Sequence, residues 1–205
     1  MIRRLAHRTV ARLAVALLLF GPVIAPAQGV NQGDLLRISN YLNGISTLEG
    51  NFVQVGPDGD LSEGTFYLRR PGRMRFQYEP PNPALIIVDG VWVGVCDPQV
   101  RTFDRFPLSE TPLSLLLRER VDLRKEGAVR SIERSAGQLR VEAVDPGAPE
   151  QGSITMVFAD NPLELRQWVV VDNQGLTTTI ALSDTRANVS LGGDLFYIDD
   201  AVCGY

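Results

Sequence analysis

The sequence predicts a mainly β protein, an antiparallel sandwich or barrel into which two short helical pieces must fit. Three observations carry that prediction. About ten short segments alternate apolar and polar residues at roughly 8–12-residue spacing, which is the pattern of antiparallel strands with one buried face. Turn chemistry separates most of them, at Pro57-Asp58-Gly59, Asp89-Gly90, Ala136-Gly137, Asp145-Pro146-Gly147, Asp160-Asn161-Pro162 and Asn173-Gln174-Gly175. A chain of 205 residues that is 44% hydrophobic and 21% charged has the composition of one globular domain.

Residues 1–27 stand apart from the rest. Arg3, Arg4, Arg8 and Arg12 precede an apolar run over 13–24, and Ala25-Pro26-Ala27 follows with the small residues of a cleavage site, so this stretch reads as a cleaved secretory signal peptide. Its apolar run is too short to remain as a spanning helix. No Leu-x-x-Cys lipobox is present in it. The expectation is a single exported, soluble domain over 28–205, without a stable membrane anchor. The leader takes four Arg and no acid with it, leaving 16 basic against 24 acidic residues and a net charge of −8. Nucleic acid and anionic membrane surfaces need a cationic footprint and are unlikely standing partners for such a chain.

The sole histidine, His7, lies in the leader. What remains cannot build a Ser-His-Asp or Cys-His nucleophile, a histidine base or a His-containing zinc site. Cys96 and Cys203 are too few for a structural zinc site. In an oxidising compartment they are expected to form a disulfide, and two unrelated half-buried thiols are the alternative.

Along the chain, Leu35, Ile38, Leu42 and Ile45 recur at helical spacing, which predicts an amphipathic helix over about 34–43, with Asp34 as N-cap and its end near Gly44. The period then changes to two. Strands are expected over 52–55, 64–69, 74–78, 85–88, 91–96 and 100–106, with a type I′ turn at Asp89-Gly90. Pro80, Pro81 and Pro83 force an open connection. A second short helix follows, with Thr111 as cap, Pro112 at its first position and Leu113, Leu116 and Leu117 as its apolar stripe. Alternation returns over 129–134, 139–143, 153–158, 165–172, 177–182 and 195–198. The two helices either plug the mouth of a curled, incompletely closed sheet or pack on it as a plain helix-on-sheet core; periodicity leaves both open.

The order of these elements resembles the LolA family of periplasmic lipoprotein carriers. The match is densest over Gly64-x-Phe66-x-Leu68-x-Arg70-Pro71-Gly72-Arg73-Met74-Arg75-Phe76, which is similar to the family's Gly-x-Leu-x-x-x-Arg-Pro turn and following aromatic strand. Pro80 to Pro83 before the 85–90 segment, Thr111-Pro112-Leu113, Asp172-x-x-Gly175, Phe196 and the early Phe52-x-Gln54 add to it. The resemblance implies an incomplete antiparallel β-barrel with a helical lid, enclosing a hydrophobic cavity for acyl chains. Its implied ligands are acylated lipoproteins, handed over in the periplasm by an inner-membrane lipoprotein-releasing transporter. The outer-membrane acceptor stays open, since Met74 stands where family members often carry an aromatic residue and the chain ends soon after Phe196. A monomer without cofactor or metal is expected.

Candidates for the cavity lining are Phe66, Leu68, Met74, Phe76, Ile86, Val88, Trp92, Met156, Phe158, Trp168 and Val170, each of which also suits an ordinary core position. The lid candidates are Leu35, Ile38, Leu42, Leu113, Leu116 and Leu117. Family context raises Arg70 from a solvated turn residue to a lid latch, with acceptors at the backbone of 42–45 or 116–118. Two other functional classes are compatible with the residues. One is an exported glycosidase using two carboxylates among Glu63, Asp89, Asp172 and Asp184; the other is a related-fold periplasmic sensor of lipidated proteins.

Overall fold

The computed structural model describes residues 31–198, so the leader expected over 1–27 and Cys203 lie outside the described residues. Eleven antiparallel strands form one sheet: β1 (Thr47–Val55), β2 (Leu61–Arg69), β3 (Arg73–Tyr78), β4 (Leu85–Asp89), β5 (Trp92–Asp97), β6 (Thr102–Pro107), β7 (Val129–Ser135), β8 (Gln138–Ala143), β9 (Ser153–Asp160), β10 (Leu163–Val171) and β11 (Thr177–Ala187). Their spatial order is β6-β5-β4-β3-β2-β1-β11-β10-β9-β8-β7. Sequential hairpins build each half, and the pairing of β1 with β11 joins the halves. The sheet is open, with β6 and β7 at its two edges.

The inner face follows from the pleat, since alternate residues share a face and opposed residues lie on the same one. Phe52 opposes Gly64, Phe66 opposes Phe76, and Met74 opposes Val88. Across the joining pair the same face continues through Leu182, Ile180, Trp168, Met156 and Val141. Gly64 is required here by close approach: a Cβ would sit 2.1 Å from the Gln77 carbonyl oxygen. Phe52, opposite it, is 1% exposed and makes edge-to-face contacts with Phe76 and Tyr78 at centroid distances of 5.0 and 5.1 Å.

Two helices lie against this face. The first, α1 (Gln32–Asn43), buries Leu35, Ile38 and Leu42. The second, α2 (Leu113–Leu117), lies in the connection that runs from one sheet edge to the other and buries Leu116 and Leu117. The connection beyond α2 is clipped to α1. Asn43 and Val121 exchange hydrogen bonds of 2.8 and 2.9 Å, and the Leu123 amide donates to Ser39 Oγ at 3.1 Å.

Four local expectations change. Asn31, not Asp34, caps α1 by accepting from the Gly33 and Asp34 amides, so the helix begins earlier and Asp34 is free to take a 2.6 Å bond from Arg134. Thr111 does not cap α2: its hydroxyl donates back to the Leu108 carbonyl, and Pro112 stands at the N-cap. The turn after β4 is not type I′, because only Gly90 has positive φ; Asp89 Oδ1 instead accepts from the Val91 and Trp92 amides. Residues 195–198 do not form a strand, and a 3-10 turn covers Asp194–Phe196.

Tyr41 ties α1 to a sheet irregularity. The register of β10 on β9 shifts between Leu165 and Gln167, and the Leu165 amide there donates to the Tyr41 hydroxyl at 3.0 Å. The Tyr41 ring stands edge-on to Phe158 at 5.8 Å, and desolvation by burial raises the pKa of its hydroxyl. Tyr41→Phe keeps the ring contact but removes the acceptor. It should lower the unfolding free energy by about 1–2 kcal/mol in urea titration, and an unchanged midpoint would refute the assignment.

Cys96 is 1% exposed on the outer face of β5. The bridge to Cys203 remains a prediction: unfolded, non-reduced protein should show no thiol reactive with a disulfide-exchange reagent. A closed loop of roughly 100 residues carries up to about 4.7 kcal/mol in the chain-entropy account. Two thiols titrating under those conditions would exclude the bridge.

Candidate functional site

The interior between sheet and helices is apolar and closed by contact of its own walls. Phe66 and Phe76, on β2 and β3, meet Trp168 of β10 at 6.2 and 6.3 Å. Ten of the eleven lining candidates lie on this inner face. Phe66, Leu68, Met74, Phe76, Val88, Met156, Phe158 and Trp168 are each 5% exposed or less, while Ile86 and Val170 are half-buried against the same cluster.

Trp92 is the exception. Val88 opposes Val93 across the β4–β5 hairpin, so Val93 and Val95 share the inner face and Trp92 stands on the outer one. There it lies under the Arg105 guanidinium at 4.8 Å from the ring centroid. An inward Val88 and an inward Trp92 are incompatible in one hairpin.

Several further inner residues lie outside the lining candidates. Phe52, Tyr78, Leu48 and Ile180 are 8% exposed or less and belong to the same cluster. The alternation Leu48-x-Gly50-x-Phe52-x-Gln54 was the available sign, but Gly50 has no side chain to show it. Tyr78 donates to Gln54 Oε1 at 2.7 Å, and burial pushes its hydroxyl up to about 12.

Of the helix residues, Leu35, Ile38, Leu42, Leu116 and Leu117 are buried, and Leu113 is half-buried. Arg70 sits where the sheet meets both helices. Its Nε donates to the Leu116 carbonyl at 3.2 Å and one Nη donates to the Leu42 carbonyl. Its own amide donates to Ser46 O at 2.8 Å, and the Gly72 amide donates to Leu117 O at 2.8 Å. Both side-chain acceptors fall within the two segments considered from the sequence. The second Nη is buried without a partner among the described residues. Burial alone pulls the guanidinium down to about 10, so it stays charged at neutral pH.

The other end of α1 is held electrostatically. Arg134 donates to Asp34 and to Asp160, and Arg37 also reaches Asp160. Hydrogen bonding from Arg37, with the Arg134 charge beside it, lowers the Asp160 pKa.

Two clefts, of about 290 and 310 Å³, open on the outer side of the sheet beside Leu61, Pro80 and Pro81 and beside Glu49, Tyr67 and Asp184. Neither is lined by the interior candidates. A crevice of about 40 Å³ between residues 115–128 and the β8–β9 wall does reach Met156.

Three of the four carboxylates considered for glycosidic chemistry serve other ends. Asp89 and Asp172 accept amides in hairpin turns, while Asp184 takes the Asn51 amide group on the exposed outer face. Among the described residues no cluster of His, Cys, Asp and Glu could hold a metal, and no helix is long and apolar enough to cross a membrane.

An open antiparallel sheet with two helices packed over its apolar inner face is the class of architecture that the described residues define. The chain belongs to the family described as outer membrane lipoprotein carrier protein LolA, which matches residues 43–199. That family consists of non-enzymatic carriers. The chain is 26% identical over 184 residues to the outer-membrane lipoprotein carrier protein of Dechloromonas aromatica, covering 85% of each chain. It is 28% identical over 169 residues to that of Methylococcus capsulatus, covering 78% of this chain and 80% of the relative. Among solved structures, the LolA superfamily protein of Nitrosomonas europaea aligns with a TM-score of 0.46 at 13% identity, over 83% of this chain and 99% of the other.

The face assignment makes a paired prediction. Ile86→Glu places a carboxylate among apolar inner side chains and should weaken uptake of an environment-sensitive apolar dye by about tenfold or more, because the charge must be desolvated or neutralised. Trp92→Glu, on the outer face, should leave uptake unchanged. Equal losses would show that the dye does not enter the inner space.

Proposed function

We propose that this protein collects the acyl chains of lipoproteins leaving the inner membrane and delivers them across the periplasm toward the outer membrane. Membership of a lipoprotein-carrier family supports a lipoprotein-binding role, and the leader-like N-terminus supports export. The inner-membrane donor is a lipoprotein-releasing transporter, and the acceptor is an outer-membrane partner of unassigned identity. The single observation that carries the reading is Arg70, which bonds the carbonyls of both helical pieces above an aromatic and aliphatic interior.

The physical requirement is reversible apolar contact. Each methylene exposed to water costs about 0.8 kcal/mol, so acyl chains leave a membrane only into comparable surroundings. Non-directional contact with Phe, Met, Leu and Val side chains supplies these, and no bond must be broken on release. In this reading α1 and α2 form a lid and Arg70 latches it.

Incubation with membranes that hold newly acylated lipoprotein and its release machinery, followed by assay of the soluble fraction, tests the carrier role. Soluble cargo is expected only with the protein present. Arg70→Leu should preserve the fold and accept cargo but pass it on poorly, since loss of charge-assisted bonds removes about 1.5–3 kcal/mol of closed-state preference and reclosure no longer competes with the acyl chains. Arg73→Leu, on the exposed side of the same turn, is the control. Equal transfer by both variants would return Arg70 to the role of a packed turn residue.

A further inference from the structure

The sequence holds eight asparagines, and one of them, Asn43, precedes a glycine. Nothing in the fold requires that glycine. Gly44 closes α1 at φ −77°, a conformation open to any residue, and a Cβ there would meet the Asn40 and Tyr41 carbonyl oxygens at 3.4 Å, an ordinary contact distance. In an Asn-Gly step the following backbone nitrogen reaches the side-chain amide carbon with no β-carbon in the way. Both residues are exposed, so water and hydroxide have access to them.

The closed arrangement pins both residues. Asn43 Nδ2 donates to the Val121 carbonyl at 2.8 Å, and the Val121 amide donates to Asn43 Oδ1 at 2.9 Å. The Gly44 amide donates to the Asn40 carbonyl at 2.9 Å and to the Tyr41 carbonyl at 3.1 Å, while the Gly44 carbonyl accepts from Asn188 Nδ2 at 3.0 Å. For the Gly44 nitrogen to turn onto Asn43 Cγ, the last turn of α1 must open and the Asn43 side chain must leave Val121. The clip between α1 and the connection beyond α2 is therefore also the guard of this step.

We propose that Asn43 is a deamidation site gated by the docking of that connection, and that its conversion makes undocking permanent. With α1 unclipped, the Gly44 nitrogen gives its proton to hydroxide and attacks Asn43 Cγ. The Cγ–Nδ2 bond breaks, ammonia leaves with a proton taken from water, and a succinimide ring remains. Water then opens the ring at either carbonyl, leaving aspartate or isoaspartate at position 43. Either product lacks the donor that the Val121 carbonyl takes, and it adds a negative charge at the end of α1, where the helix dipole already concentrates negative potential. Isoaspartate also lengthens the backbone by a methylene, which draws the Gly44 amide off its two acceptors. In the lid reading this frees α1 from its connection, but the chemistry needs no cargo, so the gate and the carrier role stand or fall separately.

The test incubates the purified protein at mildly alkaline pH beside a blocked peptide of residues 38–48 as the unstructured reference, and follows conversion at position 43 by peptide mapping with mass spectrometry. The wild type should convert about tenfold slower than the peptide, because reaction waits on a local opening. Ser39→Ala removes the acceptor of the Leu123 amide and leaves Asn43 and Gly44 in place, so it should raise the rate several-fold. Gly44→Ala fits the observed backbone and should stay unconverted over the same period. In converted wild-type protein isolated by ion exchange, the Val121 and Leu123 amides should exchange hydrogen about tenfold faster than in the unconverted chain, the effect of one lost hydrogen bond. Conversion of the wild type at the peptide's rate, no rise with Ser39→Ala, or unchanged exchange at 121 and 123 in the converted protein each overturns the gate. Should Ser39→Ala fail to fold, the exchange comparison decides the matter on the wild-type chain.

Discussion

The arrangement depends on one guanidinium placed where it is only partly satisfied. Arg70 reaches the Leu42 carbonyl at the end of α1, which also accepts from the Ile45 amide at 3.2 Å, and the Leu116 carbonyl in the last turn of α2, both in the final turns where helices run out of internal donors. A planar group with five donors can join two such ends at once, which a lysine could not do in the same geometry. Among the described residues no carboxylate offsets its burial, and desolvation lowers its pKa. In the lid reading proposed above, closure gains charge-assisted bonds and loses hydration of a charge, two effects of opposite sign at this one contact.

The filled interior has the same character. Phe52, Phe66 and Phe76 contact one another along β1–β3, and Phe66 and Phe76 meet Trp168 of β10, so any apolar chain entering the space would exchange self-contact for ligand contact. The net gain per methylene is then smaller than transfer from water alone would give. In the proposed carrier role such a lining would bind without strong retention. Met74 and Met156, both fully buried, add side chains that repack readily around irregular shapes.

The sequence made the strands, their order and most of the inner face legible because a half-buried strand writes its face as period two. Phe66, Leu68, Met74, Phe76, Met156 and Trp168 are legible in that way. The period fails where a glycine interrupts it, which hid Leu48 and Phe52 behind Gly50. It also fails where size is taken for inwardness: Trp92 is large, but the parity of its hairpin places it outside under Arg105. The caps were missed for a related reason. Asn31 and Asp34 are both good N-caps, and the choice between them is set by Arg134, 100 residues away in sequence, which takes Asp34 as a partner. The acceptors of Arg70 were legible only as two segments, since a turn residue's reach depends on how helices dock, which no local pattern encodes.

The two halves of the sheet are not equally supported. On the outer side of β2 and β3, Arg69 donates to Leu191 O and Arg75 to Leu195 O, and Phe196 lies under the Arg69 guanidinium at 5.2 Å. The segment over 189–198 therefore covers that wall from behind. Its effect is visible in Ile87, which points away from the interior yet is 0% exposed. A wall buried on both faces cannot move without exposing apolar surface twice over. Among the described residues the β7–β8 wall has no such cover: Arg130, Glu133 and Arg140 stand exposed on its outer side, while its inner side joins the rest through the β8–β9 ladder and the buried Leu139 and Val141, with the ion pairs of Arg134 to Asp34 and Asp160 added at the rim. Burial on one face stabilises a wall less than burial on two, and exposed ion pairs add little to the difference. The crevice that reaches Met156 opens on this same side, beside the connection that carries α2. The described shell is therefore asymmetric: the β2–β3 wall, whose turn carries Arg70, is buried on both faces, whereas the β7–β8 wall is buried on its inner face alone.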